Sequence, residues 1–255
     1  MSALLTLAWN GFHESRRNRV TVVVGLFAFV MIFATSLSLE LTIFTFERVM
    51  TDVGLGTMAL ITAFLTIFLG TALLPRELER RTIFMMLSKP ISRSTFLVGR
   101  LLGNVLTVGF VVLAMSALFV LQLVLQGAPL RASLFNVVFG LLLEVVLRSS
   151  LGFLFSSFSS QFVSAVSTVG LYFTGHMAPD LFRMAQASKV EALRTMGRAL
   201  YFVLPNLDRF DLRSRATYAV DTPVRELLAS AVYGLGYSAV LVTIACLLFQ
   251  RRDFK

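Results

Sequence analysis

"LFNVVFGLLLEVVLRSSLGFLFSS", residues Leu134–Ser157, decides the fold class. The run is 24 residues long and holds two ionisable groups, Glu144 and Arg148. A helix needs about 20 consecutive, mostly apolar residues to cross the hydrocarbon core of a bilayer. This run has that length, so it reads as a transmembrane helix. Glu144 and Arg148 are four residues apart and therefore share one of its faces.

The rest of the chain repeats the pattern. Of its 255 residues, 56 % are hydrophobic and 15 % charged. A soluble domain carries about 25 % charged residues, so this chain has too little polar surface to cover itself in water. Six spans can be read, at approximately 20–39, 54–74, 101–125, 134–157, 162–178 and 228–249. All are expected to be helices, since only helices and closed barrels satisfy their backbone in lipid. The fifth, "FVSAVSTVGLYFTGHMA", is short and holds several Ser, Thr and Gly, which predicts packing inside the bundle. The fold class is an all-α membrane protein of one domain, 1–255. It has six transmembrane helices, an N-terminal interfacial helix, a cytoplasmic helix after the second span, and outside helices between the fifth and sixth.

The net charge is +9. In a soluble protein that would suggest nucleic acid; here it is better read as orientation, because cytoplasmic loops collect Lys and Arg. With the N-terminus in the cytoplasm, the short inside segments hold twelve cations: Arg16, Arg17, Arg19, Arg76, Arg80, Arg81, Lys89, Arg93, Arg100, Arg251, Arg252 and Lys255. The short outside loops hold two, Arg48 and Arg131. Both termini are expected in the cytoplasm. Arg16, Arg17 and Arg19 before an apolar run could suggest a signal peptide. However, the leader is long and no small-x-small site follows, so the first span is expected to be retained.

Residues 1–19 read as an interfacial helix, with Leu4, Leu5, Ala8, Trp9 and Phe12 at helical spacing. The segment 179–227 would lie outside, with eight cations and six acids. Leu181, Ala185, Leu193, Met196, Leu200 and Leu204 predict one amphipathic helix there, ended by Pro205-Asn206. A short element follows through "LDRFDLR". Thr222 is expected to cap the last span, with Pro223 at its first position. These outside helices suit either a lid over an exit or an anchor at the interface.

Little in the chain points to chemistry of its own. There is no G-x-x-x-x-G-K-[ST] phosphate loop, so nucleotide is not bound by that route. The lone Cys246 lies in an apolar run and excludes an internal disulfide; packing is its expected role. His13 and His176 lie at different depths without ligand partners at useful spacing, which argues against a metal site. Gly99 and Gly103 form a G-x-x-x-G that allows close helix contact. Glu144 and Arg148 remain. Ionisable groups in a bilayer are costly and face the bundle interior or a wet cavity. They are either a polar element of a substrate path or gate, or a neutralised structural pair in which Arg148 snorkels inward.

"PRELERRTIFMMLSKPISR", Pro75–Arg93, separates the second and third spans. Pro75 suits a helix start, Glu77 and Arg81 form a favourable i, i+4 pair, and Pro90 stops the helix. Ser92 or Ser94 can cap the next one. Ile83, Met86 and Leu87 give it an apolar face that a free loop would not need, which predicts docking on the membrane surface or in a partner's groove.

The run "RELERRTIFMMLSKPISRSTFLVGRLLG", Arg76–Gly103, resembles the segment after the second span in permease subunits of the type-2 ABC exporter family. Arg100 stands where that family usually has lysine. Further similarity lies in "LFSSFSSQFVSAVSTVGLYFTGH", "YFVLPNLDRFDLR" and the closing "LLFQRRDFK". The resemblance runs over almost the whole chain. It is closest to the six-span permeases associated with multi-copper-enzyme maturation, a group whose substrates vary. It implies two permease copies, a homodimer, each docked on an ATPase subunit that carries ATP and Mg; this chain would hold no cofactor and perform no hydrolysis. The 76–88 helix would be the coupling helix, with Glu77, Glu79, Arg80, Arg81, Ile83, Phe84, Met86 and Leu87 meeting the ATPase. The second and fifth spans would face the dimer seam. Glu144 and Arg148 fall where the family is mostly apolar.

Three functions follow as expectations. The first is an ABC exporter permease. The second is a force-transmitting subunit that acts on an extracytoplasmic partner and moves no substrate. The third is an ATP-independent channel or carrier, for which only Glu144 and Arg148 supply the expected mid-membrane polarity.

Overall fold

Apolar runs of bilayer length have no other way to satisfy their backbone, and long helices result. The computed structural model describes residue 9 and residues 19–41, 46–79 and 92–250, with side chains at 9, 22–35, 47–72 and 92–250. The helices are α1 (Arg19–Leu41), α2 (Phe46–Glu79), α3 (Arg93–Leu125), α4 (Ala132–Phe158), α5 (Gln161–Ala187), α6 (Glu191–Val203), α7 (Arg213–Thr217) and α8 (Val224–Gln250). A 3-10 turn, Asp208–Phe210, precedes α7, and no strand occurs among the described residues.

Among the described residues, four helices are long and apolar enough to cross a membrane: α2 over Glu47–Ala72, α3, α4 and α8. α1 contributes a shorter apolar stretch, Val22–Thr35. α5 is diluted by Ser, Thr, Gly and His. α4 is central and touches α2, α3, α5, α8 and the segment after α6. One apolar core joins α1–α4 through residues such as Phe27, Met58, Val112, Phe119 and Val145. A second, with Phe96, Leu97, Phe153 and Phe249, ties α3, α4 and α8 together, and Cys246 packs against it. Several threonines inside the bundle turn back on their own helix. Thr62, Thr66, Thr71 and Thr107 each donate to the carbonyl four residues earlier, at 2.6–2.8 Å. Gly99 and Gly103 are both buried on α3.

The ends alternate. Arg131, before α4, pairs with Glu47 at the start of α2 at 3.0 Å, and Arg48 lies 5.9 Å over the Tyr218 ring. The loops before α2 and α4 and the segment after α6 therefore share one end. At the other, Arg93 donates to the Gln250 carbonyl at 3.1 Å. The Ser92 hydroxyl caps α3, accepting from the Thr95 N–H at 3.1 Å, as the sequence suggested.

Several expectations are corrected. α2 begins eight residues before 54 and runs through Pro75 to Glu79, so residues 76–79 continue the second span rather than start a new helix. Proline is tolerated inside membrane helices when other groups re-satisfy the freed backbone. Arg80, Arg81, Ile83, Phe84, Met86 and Leu87 lie outside the described residues, as do the side chains of Glu77 and Glu79 and, Trp9 excepted, the interfacial helix 1–19. α5 does not end at 178 but continues to Ala187, and it is not enclosed by the bundle. Its small residues Ser164, Thr168, Gly175 and Ala178 face inward, while Phe162, Val163, Val166 and Phe173 are exposed. The stripe read as one helix belongs to two, with Leu181 and Ala185 on α5 and Leu193, Met196 and Leu200 on α6. They face each other across an apolar groove. Finally, among the described residues the buried Thr222 hydroxyl has no hydrogen-bond partner, so it does not cap the last span. The Pro223 carbonyl instead accepts from the Glu226 N–H, so the helix begins one residue later than expected.

Candidate functional site

The segment between α6 and α7 positions the site. α6 ends at Val203, with Leu204 extended ahead of Pro205, as residues before proline prefer. The chain then folds back into the bundle instead of lying on it. Leu207 and Phe210 are buried against α4 and α8, and Leu212 is buried in the core that includes α4. Close approach requires glycine at two places. A Cβ on Gly140 of α4 would sit 2.5 Å from the Phe210 carbonyl oxygen, and one on Gly175 of α5 would sit 2.7 Å from that of Pro205. Gly140 is eight residues into α4, so the segment reaches roughly 12 Å below the helix start. Two tyrosines of α8 fasten it: the Tyr233 hydroxyl accepts from the Asn206 N–H at 2.8 Å, and that of Tyr237 donates to the Val203 carbonyl at 2.6 Å.

This depth brings the segment to Glu144. Glu144 and Arg148 are 4 % and 1 % exposed, so neither snorkels to an interface. Glu144 Oε1 lies 3.5 Å from Arg148 Nε and 3.4 Å from Nε2 of His176 on α5. One turn back on α5, the Tyr172 ring lies between them. The Arg148 guanidinium is 5.5 Å from its centroid and the imidazole 4.5 Å. His176 Nδ1 is 3.0 Å from the Tyr172 carbonyl. No nitrogen of the Arg148 guanidinium has a hydrogen-bond partner among the described residues. Among the described residues, its charge is met by the carboxylate and the ring face.

The folded-back segment adds a second pair. Arg213 donates from Nε to Asp211 Oδ1 at 2.8 Å and from a terminal nitrogen to Oδ2 at 2.5 Å. Burial pushes the Asp211 carboxyl up, but the hydrogen bonds and charge of Arg213 outweigh it and hold the group below the usual carboxylate range. Asp211 in turn raises the Arg213 guanidinium. Glu144, Tyr172, His176, Asp211 and Arg213 surround a cavity of about 10 Å³, the lower limit for one water molecule.

The structure thus keeps the predicted Glu144–Arg148 pair together and adds Tyr172, His176, Asp211 and Arg213. His176, for which the sequence offers no metal-ligand partner at useful spacing, meets Glu144 from another helix. No spacing in the sequence signals this, because the partners are 32 and 35 residues from His176, on different elements.

The family model described as "ABC-2 family transporter protein" matches residues 5–254. The chain belongs to this family. As an ABC-2 transporter protein it is a transmembrane subunit of an ABC transporter, and membership implies an ABC ATPase partner and a membrane setting. None of the curated proteins compared with it matches. The ABC-2 match spans the charge cluster and the 76–88 segment alike.

Proposed function

We propose that this ABC-2 protein is the permease half of an exporter. Six helices, α1–α5 and α8, span a bacterial inner membrane with both termini in the cytoplasm. Two copies pair, and each sits on a separate ATPase subunit that binds ATP and Mg and performs all hydrolysis. The segment 76–88 is the coupling element: Glu77, Glu79, Arg80 and Arg81 supply its charged face, and Ile83, Phe84, Met86 and Leu87 its apolar one. ATP-driven closure of the ATPase pair pushes on this element and tilts α2 and α3. Glu144 and Arg148 belong to the path or its gate. The six-span permeases of multi-copper-enzyme maturation are the subgroup to which the sequence motifs point.

The observation that carries this reading is the ABC-2 family match across residues 5–254, on a chain whose described residues include four helices able to cross a membrane. The test is purification from native membranes followed by reconstitution in vesicles. An ATPase should co-purify, and ATP should drive substrate across the bilayer. Charge reversal at Glu77, Glu79 and Arg81 should uncouple hydrolysis from transport. Purification without an ATPase, or full activity after charge reversal, would sink the coupling model. ATP turnover with no substrate movement, but altered binding of an extracytoplasmic protein, would favour force transmission instead.

A further inference from the structure

Three contacts set the depth of α6. His176 of α5 lies 3.4 Å from Glu144, the thirteenth of α4's 27 residues, so this part of α5 stands beside the centre of a helix able to cross the membrane. The adjacent Gly175 carbonyl accepts from the Leu207 N–H at 3.1 Å, four residues after α6 ends. The carbonyl of Val203, the last residue of α6, accepts from the Tyr237 hydroxyl, and Tyr237 is the fourteenth of α8's 27 residues. α6 thus ends near the middle of the bundle, although it begins at Glu191, just past the end of α5. Its 13 residues cover about 20 Å, and half of a hydrocarbon core is about 15 Å. α6 therefore descends beside α5 into one leaflet instead of lying flat on the surface.

Its side chains are graded to match that path. Glu191, Arg194 and Arg198 occupy its first turns, and Lys189 precedes them. All four are exposed, three cations to one carboxylate. The stretch Ala199–Val203 carries no charge, and Phe202 and Val203 are 80 % and 70 % exposed. Apolar side chains so exposed at that depth need hydrocarbon around them. Between α5 and α6 runs a groove of about 360 Å³, a volume typical of ligand sites. Met184 of α5 and Met196 of α6 are on its wall, and Ser188 and Tyr201 are its polar lining residues. Arg194, Arg198 and Tyr201 are spaced i, i+4, i+7. Both guanidiniums therefore share a face of α6 with a wall residue of the groove and lie nearer the membrane surface than it does.

We propose that the α5–α6 groove binds one phospholipid with an anionic headgroup. An acyl chain lies between Met184 and Met196, and the headgroup phosphate meets Lys189, Arg194 and Arg198. Depth and charge together choose this occupant. The groove begins at headgroup level and runs toward the bilayer centre, where an acyl chain enters it without leaving hydrocarbon. Three exposed cations at its surface end favour a negative headgroup over a neutral one. The proposal rests on the membrane setting of the chain and stands whether or not the ATPase model holds.

The chain has one tryptophan, Trp9, so Trp9→Phe with Met196→Trp places a single fluorophore on the groove. The full chain in phosphatidylcholine vesicles is titrated with phosphatidylglycerol brominated on its acyl chains, and separately with phosphatidylcholine brominated in the same way. The anionic lipid should quench at mole fractions about fivefold or more below those the neutral lipid needs, the factor that one cation contributes near an anionic headgroup. Exchange of Lys189, Arg194 and Arg198 for glutamine should bring the two curves together. Equal curves before that exchange overturn the proposal. So does a lack of quenching by either lipid, because protein, a second copy of this chain included, then covers the groove. A preference that survives the triple exchange overturns it too. If the triple variant does not assemble, survival of the preference in about 1 M salt, where charges are screened beyond about 3 Å, decides in the same sense. Met184→Trp, on the facing helix, repeats the titration from the other wall and shows whether the Met196→Trp side chain itself blocks the site.

Discussion

The backbone N–H of Leu207 donates to the backbone carbonyl of Gly175 at 3.1 Å, so a loop residue hydrogen-bonds the middle of a long helix. The cause lies four residues on. An α-helical carbonyl at 175 would accept from residue 179, and residue 179 is proline, which has no N–H. Pro179 leaves the Gly175 carbonyl without its helical donor, and the folded-back segment supplies the replacement. Because Gly175 has no side chain, the segment can come close enough to do so.

Pro179→Ala should therefore loosen the loop while it improves the helix. Alanine restores an N–H that competes with Leu207 for the same oxygen. Interior proline costs a helix about 3 kcal/mol, so the restored bond is favoured. Hydrogen exchange across residues 204–212, read by mass spectrometry, should rise in the variant. Unchanged exchange there would show that the loop is held by its apolar contacts alone.

Gly140 offers an independent measure of the same docking. Gly140→Ala puts a methyl 2.5 Å from the Phe210 carbonyl oxygen, which is backbone and cannot swing aside. Overpacking of this kind costs about 1–3 kcal/mol. Thermal unfolding in detergent should show a clear loss of stability. Gly170→Ala, on the same bundle with nothing within 4 Å of the new methyl, should be neutral or slightly stabilising.

The long helices were legible in the sequence because length and apolarity are local properties. So was the shared face of Glu144 and Arg148, since helical period alone places them together. The charge cluster was not legible, because His176 reaches Glu144 by the packing of α5 on α4, and Asp211 and Arg213 reach it through the fold of 204–213. Two small signals did exist. Gly175 and Pro179 sit four apart, the spacing at which a freed carbonyl meets open space. Leu207, Phe210 and Leu212 are too apolar for a solvated loop. The groove between α5 and α6 was half legible: its residues were identified, but the break at Ser188–Val190 carries no proline or glycine, so two helices read as one.

Asp211 makes stability depend on acid. Its carboxyl is held below the ordinary range when folded, so its contribution is fully present above the unfolded value, about 3.9. The contribution is lost as pH falls through the lower, folded value. Asp211→Asn should flatten the stability profile in that acid window. At neutral pH it should lower the unfolding temperature, because the amide leaves Arg213 one neutral acceptor in place of two charged ones. A profile that stays as steep in Asp211→Asn would assign the acid dependence to other carboxylates.

The Glu144–Arg148 pair separates structure from transport. Removing one partner of a buried ion pair costs about 3–5 kcal/mol, whereas exchanging both for apolar residues of similar size is often neutral. Arg148→Leu should therefore destabilise strongly, because it removes the guanidinium that lies 3.5 Å from the buried Glu144 carboxyl. Glu144→Leu should do the same by stranding a guanidinium that is 1 % exposed. The double variant should recover most of the loss, which a double-mutant cycle of unfolding free energies would read as a large coupling. Transport then decides the role. If the pair lines the path or gate, the double variant assembles normally yet loses ATP-driven movement in vesicles. If it retains full transport, the pair is structural, because two leucines offer a moving substrate neither charge nor hydrogen bond.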